Sequence, residues 1–255
     1  MQTKDLALHY VDVGAANNTR EIAWFDRTWP LMVSQFEPNP LAAADLRQVE
    51  RPKSERFAVY ETALGSRNET SLLHICRKPE LSSFLIPNKS FTDRFPESDR
   101  FLVEKSIPVE VRSLDNLTLD FGIVDFMRID TQGTELEVLK GALRALDTCV
   151  AIQVEVEFVP IYQGQCLFGD VSGFLQDFGF ELWDFTTLYR YGRHQLDRTG
   201  QLAFADALFF RPPEALLAGS DAVRKLVMLR RIAQVFRKTD VSLLCERLIR
   251  ELGPK

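Results

Sequence analysis

Two short apolar runs, each cut off at its carboxyl end by residues that cannot continue a strand, constrain this 255-residue chain more than any other feature. Leu8–Val13 stops at Gly14, and Leu31–Phe36 stops at Glu37-Pro38-Asn39-Pro40. Runs of this length bounded by glycine or proline read as strands. Between them lie small and polar residues at 15–19 and a helical pattern over Arg20–Thr28, so the opening reads strand, tight turn, helix, strand. A helix over Leu41–Arg51 and a third strand over Phe57–Thr62 continue the alternation. Such an order predicts a parallel sheet with helices on its faces.

From Gly65 to Pro108 the pattern weakens. Prolines at 79, 87 and 96 interrupt it, and Glu69–Arg77 is the one stretch there that reads as an extra strand. A long excursion inside a compact domain is usually functional or mobile. Regularity returns with a strand at Val109–Val111 and another at Val124–Ile129, which ends in Asp130. Leu136, Leu139, Leu143 and Leu146 then repeat at helical spacing. A strand over Val150–Phe158, a helix over Val171–Phe178 and a strand pair, Phe180–Phe185 with Ala203–Arg211, close the core. Two helices, Ser220–Arg237 and Val241–Leu252, follow Pro212-Pro213 and form a C-terminal extension over 214–255.

Charge and composition remove several classes of function. Lys and Arg number 31 against 36 Asp and Glu, a net −5, which is no field for coating nucleic acid. No apolar run is long enough to cross a bilayer, and the first residues lack the basic start and cleavage site of a secretory signal. Four scattered cysteines without a CxxC pair, and three histidines, point to buried thiols in a reducing cytoplasm rather than to a metal centre.

The candidate chemistry lies at the carboxyl ends of the predicted strands, where open parallel sheets bind ligands. Asp12, Glu37 and Asp130 fall there, and Gly14 lets the backbone approach a ligand closely. Glu37 suits the two hydroxyls of a ribose; its purely structural reading is a carboxylate beside a helix start. A single glycine is poor for a pyrophosphate, which wants G-x-G-x-x-G. That disfavours a nicotinamide dehydrogenase and favours a nucleoside ligand without phosphate, such as S-adenosylmethionine. Gln153, Glu155 and Glu157 share one strand face. Glu155 and Glu157 are candidates, with Asp130, for the base at an acceptor hydroxyl; the structural alternative pairs Arg128 with Glu155. His194 lies in a polar loop, as a catalytic histidine or a solvated bystander, and the nearby Arg190, Arg193 and Arg198 suit contact with an anionic acceptor. The C-terminal helices are basic and amphipathic, fit to pack on the core or on a second subunit.

The segments VDVGAANNT, FEPNP, ETALGS, SLDNL, RIDTQGTELEVLKGA and QVEVEFVPIY, with the late GQLAFADALFFR, resemble in order and spacing the FkbM-type methyltransferases, over roughly residues 9 to 212. The resemblance implies a class I methyltransferase, Rossmann-like α/β fold over 1–213. That fold has a mostly parallel seven-stranded sheet, an antiparallel closing strand and helices on both faces. It implies S-adenosylmethionine as cofactor and O-methylation of a sugar, a glycan or another small hydroxylated metabolite. By position, Asp12, Gly14 and Ala15 would form the donor turn, Glu37 would hold the ribose, Pro38 and Asn39 would shape the adenine edge, and Asp130 would lie near the methyl group. Asn18 replaces a usual glycine and Gln132 a usual acid, which leaves open a weakly active or inactive donor-binding partner in glycan assembly. The expected partners are the acceptor and, through the C-terminal helices, a second copy; no nucleic acid, membrane span or metal is expected. With little chain ahead of the first strand, the donor is expected to be covered by the middle excursion, the C-terminal helices or a second subunit, or to stay open.

Overall fold

The computed structural model describes residues 6–16, 22, 25, 29–49, 54–117, 122–194 and 199–253. Its strands in chain order are β1 (Leu8–Val13), β2 (Leu31–Phe36), β3 (Ser54–Tyr60), β4 (Ala63–Leu64), β5 (Glu69–Cys76), β6 (Val103–Arg112), β7 (Phe126–Ile129), β8 (Ala151–Glu157), β9 (Glu181–Tyr191) and β10 (Gln201–Phe210). Seven of them form one sheet in the order β3-β2-β1-β7-β8-β10-β9. The pairs from β3 to β8 are parallel, and β10 lies antiparallel to both β8 and β9. This is the expected class I architecture. Its order turns outward in both directions from β1 and β7, which opens a crevice beyond their carboxyl ends.

The expectation for Arg20–Thr28 falls largely outside the described residues; Ile22 and Phe25 are helical and buried. The helix expected at Leu41–Arg51 is shorter, Pro40–Arg47, with the Asn39 side chain capping it through the Leu41 amide at 3.1 Å.

Three expectations need correction. The excursion after Gly65 is not irregular: β5 pairs antiparallel with the ten-residue β6, and β4 joins them in a second, three-stranded sheet. The Val109–Val111 strand is the end of β6 and lies in this small sheet. Most of β6 is exposed, so it shows little of the apolar alternation that marks a strand. The helix expected from Thr134 is two helices, Glu135–Lys140 and Leu143–Thr148. The break is at Gly141, whose carbonyl accepts from the Asp115 amide and the Ser113 hydroxyl. A Cβ there would lie 2.0 Å from the Gly65 carbonyl oxygen. Finally, β9 runs on to Tyr191, well beyond the expected Phe180–Phe185, while β10 lies close to the expected Ala203–Arg211; the outer part of the hairpin carries aromatic stacking such as Tyr189 on Phe204, 4.3 Å apart.

The sheet has two unlike faces. On one, Val11, Val13, Met127, Ile129, Val154 and Val156 pack with Leu139, Leu146 and Leu175 of the flanking helices. The other face changes character along its length. Near the amino ends of the parallel strands Tyr10, Phe126, Leu208 and Phe210 pack against Leu226, Leu229 and Ile232 of helix Ala222–Val235 and Val241 of helix Thr239–Leu252. Two residues further along, the same alternation presents Asp12, Arg128 and Gln153 in register, and then Glu155 opposite Asp206. The C-terminal helices therefore complete a core with the sheet, and the polar end of that face lies at the crevice. Among the described residues no helix is long and apolar enough to cross a membrane.

The main tie between the sheet and helix Ala222–Val235 is Arg224, which donates to both oxygens of the fully buried Asp125 at 2.6 and 2.9 Å. Removing one partner of a buried pair strands the other charge. Arg224→Met is expected to cost about 3 kcal/mol in urea unfolding. A loss under about 1 kcal/mol, the range of exposed pairs, would contradict this tie.

Candidate active site

The donor-side turn is built by backbone geometry. Gly14 adopts φ 72°, and its amide and that of Ala15 both donate to the Phe36 carbonyl, at 3.0 and 3.2 Å. A Cβ on Gly14 would sit 1.8 Å from the Asp130 carbonyl oxygen. Glycine is thus required twice, for the left-handed backbone and for the contact with the loop after β7.

Glu37 follows β2 and is aimed by its own loop. Its Oε2 accepts from the Ala16 amide at 3.0 Å and its Oε1 from the Asn39 amide at 2.8 Å. Burial raises its proton affinity; the two amide bonds oppose this, while Asp12 and Asp130 add to it. Each oxygen retains a lone pair for a ligand hydroxyl.

These residues border a cavity of about 380 Å³, the size class of small-ligand sites. Gly14, Glu37, Pro38, Asn39 and Asp130 line it, with Ala16, Phe36, Leu41 and Gln132. The far wall comes from the small sheet and the segment after it, through Ala63, Leu64, Leu73, Ser82 and Phe84. Of the three covers expected, the middle excursion is the one that lines the cavity. Asp12 and Ala15 stand behind the wall, both fully buried. Asp12 accepts from Gln35 Nε2 at 2.8 Å and from Arg128 Nη1 at 3.3 Å.

The acidic end of the site lies beside the cavity. Asp130 Oδ2 accepts from Arg128 Nη2 at 2.7 Å. The pair anticipated between Arg128 and Glu155 gives way to Arg128 with Asp12 and Asp130. Arg128 is in register with Asp12 and Gln153, one step short of Glu155. Glu155 instead accepts from Gln132 Nε2 at 2.6 Å.

Glu155, Glu157 and Glu135 are each under a tenth exposed and bring carboxylate oxygens within 4.8 Å of one another. Among the described residues this is the grouping compact enough to hold a metal ion. Glu135, however, already spends both oxygens on the loop, accepting from the Thr131 amide and hydroxyl and from the Gly133 amide. Burial first, then the neighbouring carboxylates, pushes the proton affinities of Glu155 and Glu157 well above the usual range. Glu135 was not anticipated; its signal is an acid in the first turn of a helix after a Gly-containing loop. Asp206, opposite Glu155, and Tyr189, on the same outer hairpin, were also missed, because antiparallel register cannot be read from composition. His194 and Arg193 are exposed, and Arg193 stacks on Phe95 at 5.7 Å; Arg198 lies outside the described residues.

Comparison with known proteins places this arrangement. A family model described as the methyltransferase FkbM domain matches residues 12–182. The 2-O-methyltransferase NoeI of Sinorhizobium fredii (strain NBRC 101917 / NGR234) is 29% identical over 138 residues, 51% of this chain and 55% of that protein. The chain thus spans about half the length of the curated relative it matches. Two solved structures are similar in chain path: a putative tRNA (m1A22) methyltransferase, Sp1610, of Streptococcus pneumoniae and a precorrin-6y C5,15-methyltransferase of Geobacter metallireducens GS-15. The first is 11% identical over 96% of this chain and 94% of that one, with a TM-score of 0.41. The second is 12% identical over 82% and 83%, with a TM-score of 0.38.

The buried acids make stability depend on pH. Because Glu157 binds its proton more tightly folded than unfolded, its contribution favours folding below about pH 4.3 and is lost as pH rises through the folded value. Glu157→Gln is therefore expected to be more stable than the parent at pH 8, by about 1 kcal/mol or more, with the gap closing toward pH 4. Calorimetric melting at both pH values checks this; a variant that is less stable at pH 8 would contradict it.

Proposed function

The chain belongs to the FkbM methyltransferase family, and from that premise we propose that it is an S-adenosylmethionine-dependent O-methyltransferase acting on a hydroxyl of a sugar, glycan or other small hydroxylated metabolite. One observation supports the reading: the Glu37 and Asp130 carboxylates line the same cavity, and the Gln132 amide, also in its lining, joins Asp130 to the buried Glu155. The 2-O-methyltransferase name of the relative supports oxygen as the methyl acceptor.

The residues present fit the donor. Glu37, with both oxygens oriented by backbone amides, is matched to the two ribose hydroxyls. Gly14, which lines the cavity, presents the turn against which the amino-acid portion would lie. Pro38, Asn39 and Leu41 line the cavity beside Glu37, where the base would lie, and Asp130 offers a carboxylate to the ammonium group. Asp12 and Ala15 act from behind, holding the turn and Arg128. When bound, S-adenosylmethionine supplies a methyl group on a sulfonium, whose carbon–sulfur bond breaks as the bond to the acceptor oxygen forms.

The remaining work is on the acceptor. A hydroxyl attacks well only as its proton leaves, and a placed base contributes about 10²–10⁴-fold. Glu155 and Glu157, with raised proton affinity, are suited to take that proton. Tyr189, stacked on Phe204 and 41% exposed, offers an aromatic surface on the outer hairpin, of the kind that packs against the apolar face of a sugar ring.

Two measurements test this. Glu37→Gln is expected to weaken S-adenosylmethionine binding about 10–100-fold by calorimetry, the worth of hydrogen bonds to a charged group. Unchanged affinity would contradict the ribose assignment. With labelled donor and a panel of mono- and oligosaccharides, Glu155→Gln is expected to lower transfer at least about 100-fold with donor affinity preserved. Donor binding with no transfer to any hydroxyl by the parent chain would instead identify a donor-binding partner module.

A further inference from the structure

Gln132 is where three parts of the chain meet the acidic cluster. Its backbone is left-handed, φ 58°, a conformation a non-glycine residue keeps only where its surroundings hold it. Ser83, itself buried, donates from Oγ to the Gln132 carbonyl at 2.7 Å and so fastens the middle excursion to this loop. The side chain is fastened as well. Nε2 donates to Asp130 Oδ1 at 2.9 Å and to Glu155 Oε2 at 2.6 Å, and Oε1 accepts from the buried Tyr162 hydroxyl at 3.0 Å.

A primary amide has two N–H donors, and here each is given to a different carboxylate. Turning the amide end for end would set its oxygen against both acids, so the two carboxylates set its orientation, while the single Tyr162 proton is shared between Gln132 Oε1 and the Leu81 carbonyl, 2.9 Å away. The two acids are then not equivalent. Asp130 also holds the Arg128 guanidinium, whereas Glu155 is bordered by further acids, Glu135 and Glu157.

We propose that Gln132 is a positioning residue: its amide, clamped by Tyr162, fixes Asp130 and Glu155 in one geometry, with Arg128 on Asp130, and so makes Glu155 the member of the pair that takes the acceptor's proton. The proton-transfer role rests on the methyl-transfer reading, but the clamp does not. It also gives a physical reason for a neutral residue at 132, since an acid there would add another like charge between two carboxylates.

The test is carboxylate ¹³C NMR titration of the full chain labelled in Asp and Glu side chains, with no donor or acceptor present. Glu155→Gln and Asp130→Asn identify the two signals. The groups facing Glu155 are Asp130 and Gln132 from the loop after β7, Glu135 from the following helix, Glu157 on its own strand, Tyr162 after β8, Asp206 on β10, and Tyr189 and Tyr191 on β9. In the parent chain Glu155 should titrate above the usual carboxylate range. Gln132→Glu should raise the Glu155 midpoint at least about tenfold in proton affinity, and Gln132→Met should raise it less. Tyr162→Phe should shift it in the same direction. Loss of fold would appear as loss of the dispersed spectrum, and any one of the three variants that folds suffices to decide. Glu155 midpoints that stay within about twofold of the parent in the folded variants would overturn the proposal. Absence of methyl transfer with these shifts intact would count against the activity alone.

Discussion

The closest constraint in the molecule is the approach of Gly14 to the Asp130 carbonyl, where a Cβ would come within 1.8 Å. It joins the loop after β1 to the loop after β7, the two strands at which the sheet order turns outward. Everything at the site is measured from this contact. The turn at Gly14 hangs from the Phe36 carbonyl, which sets the height of Glu37; Asp130, on the other side, carries Arg128 and Gln132 with it. A side chain at 14 would therefore part the loop after β1 from the loop after β7.

The second constraint is charge. One face of the sheet is an apolar core for half its length and a crowded polar surface for the rest, and the change comes within two residues on β1 and β7. Arg128 holds two of the acids, and Glu135 is satisfied by loop donors. Glu155 and Glu157 remain costly to ionise. Buried acids of this kind lower stability near neutral pH, a common mark of sites shaped for chemistry rather than for folding.

Much of the fold was legible because its central strands are buried on both faces and so read as short, mostly apolar runs. Leu8–Val13 and Leu31–Phe36 fall where composition puts them, as do Gly14 and the acid after β2. The small sheet was less legible, since β6 is mostly exposed and lacks an apolar period. The break at Gly141 was hidden because the leucine spacing runs straight through it, while the close approach of Gly65 that demands glycine at 141 is a contact between distant segments. At the site, the strand-end residues Glu37 and Asp130 could be named from sequence. The partners of Arg128, the bracing by Glu135 and the clamp from Tyr162 could not, because each depends on register or on contacts between distant segments.

The central claim is that one cavity joins a ribose-binding carboxylate to an acidic methyl-acceptor site. The most direct measurement is a crystal structure of the chain with S-adenosylhomocysteine. The account predicts ribose hydroxyls on both oxygens of Glu37, the amino-acid portion beside Gly14, and the sulfur directed toward the Asp130 and Glu155 end. A ligand bound elsewhere, or one in the cavity with its ribose away from Glu37, would contradict it.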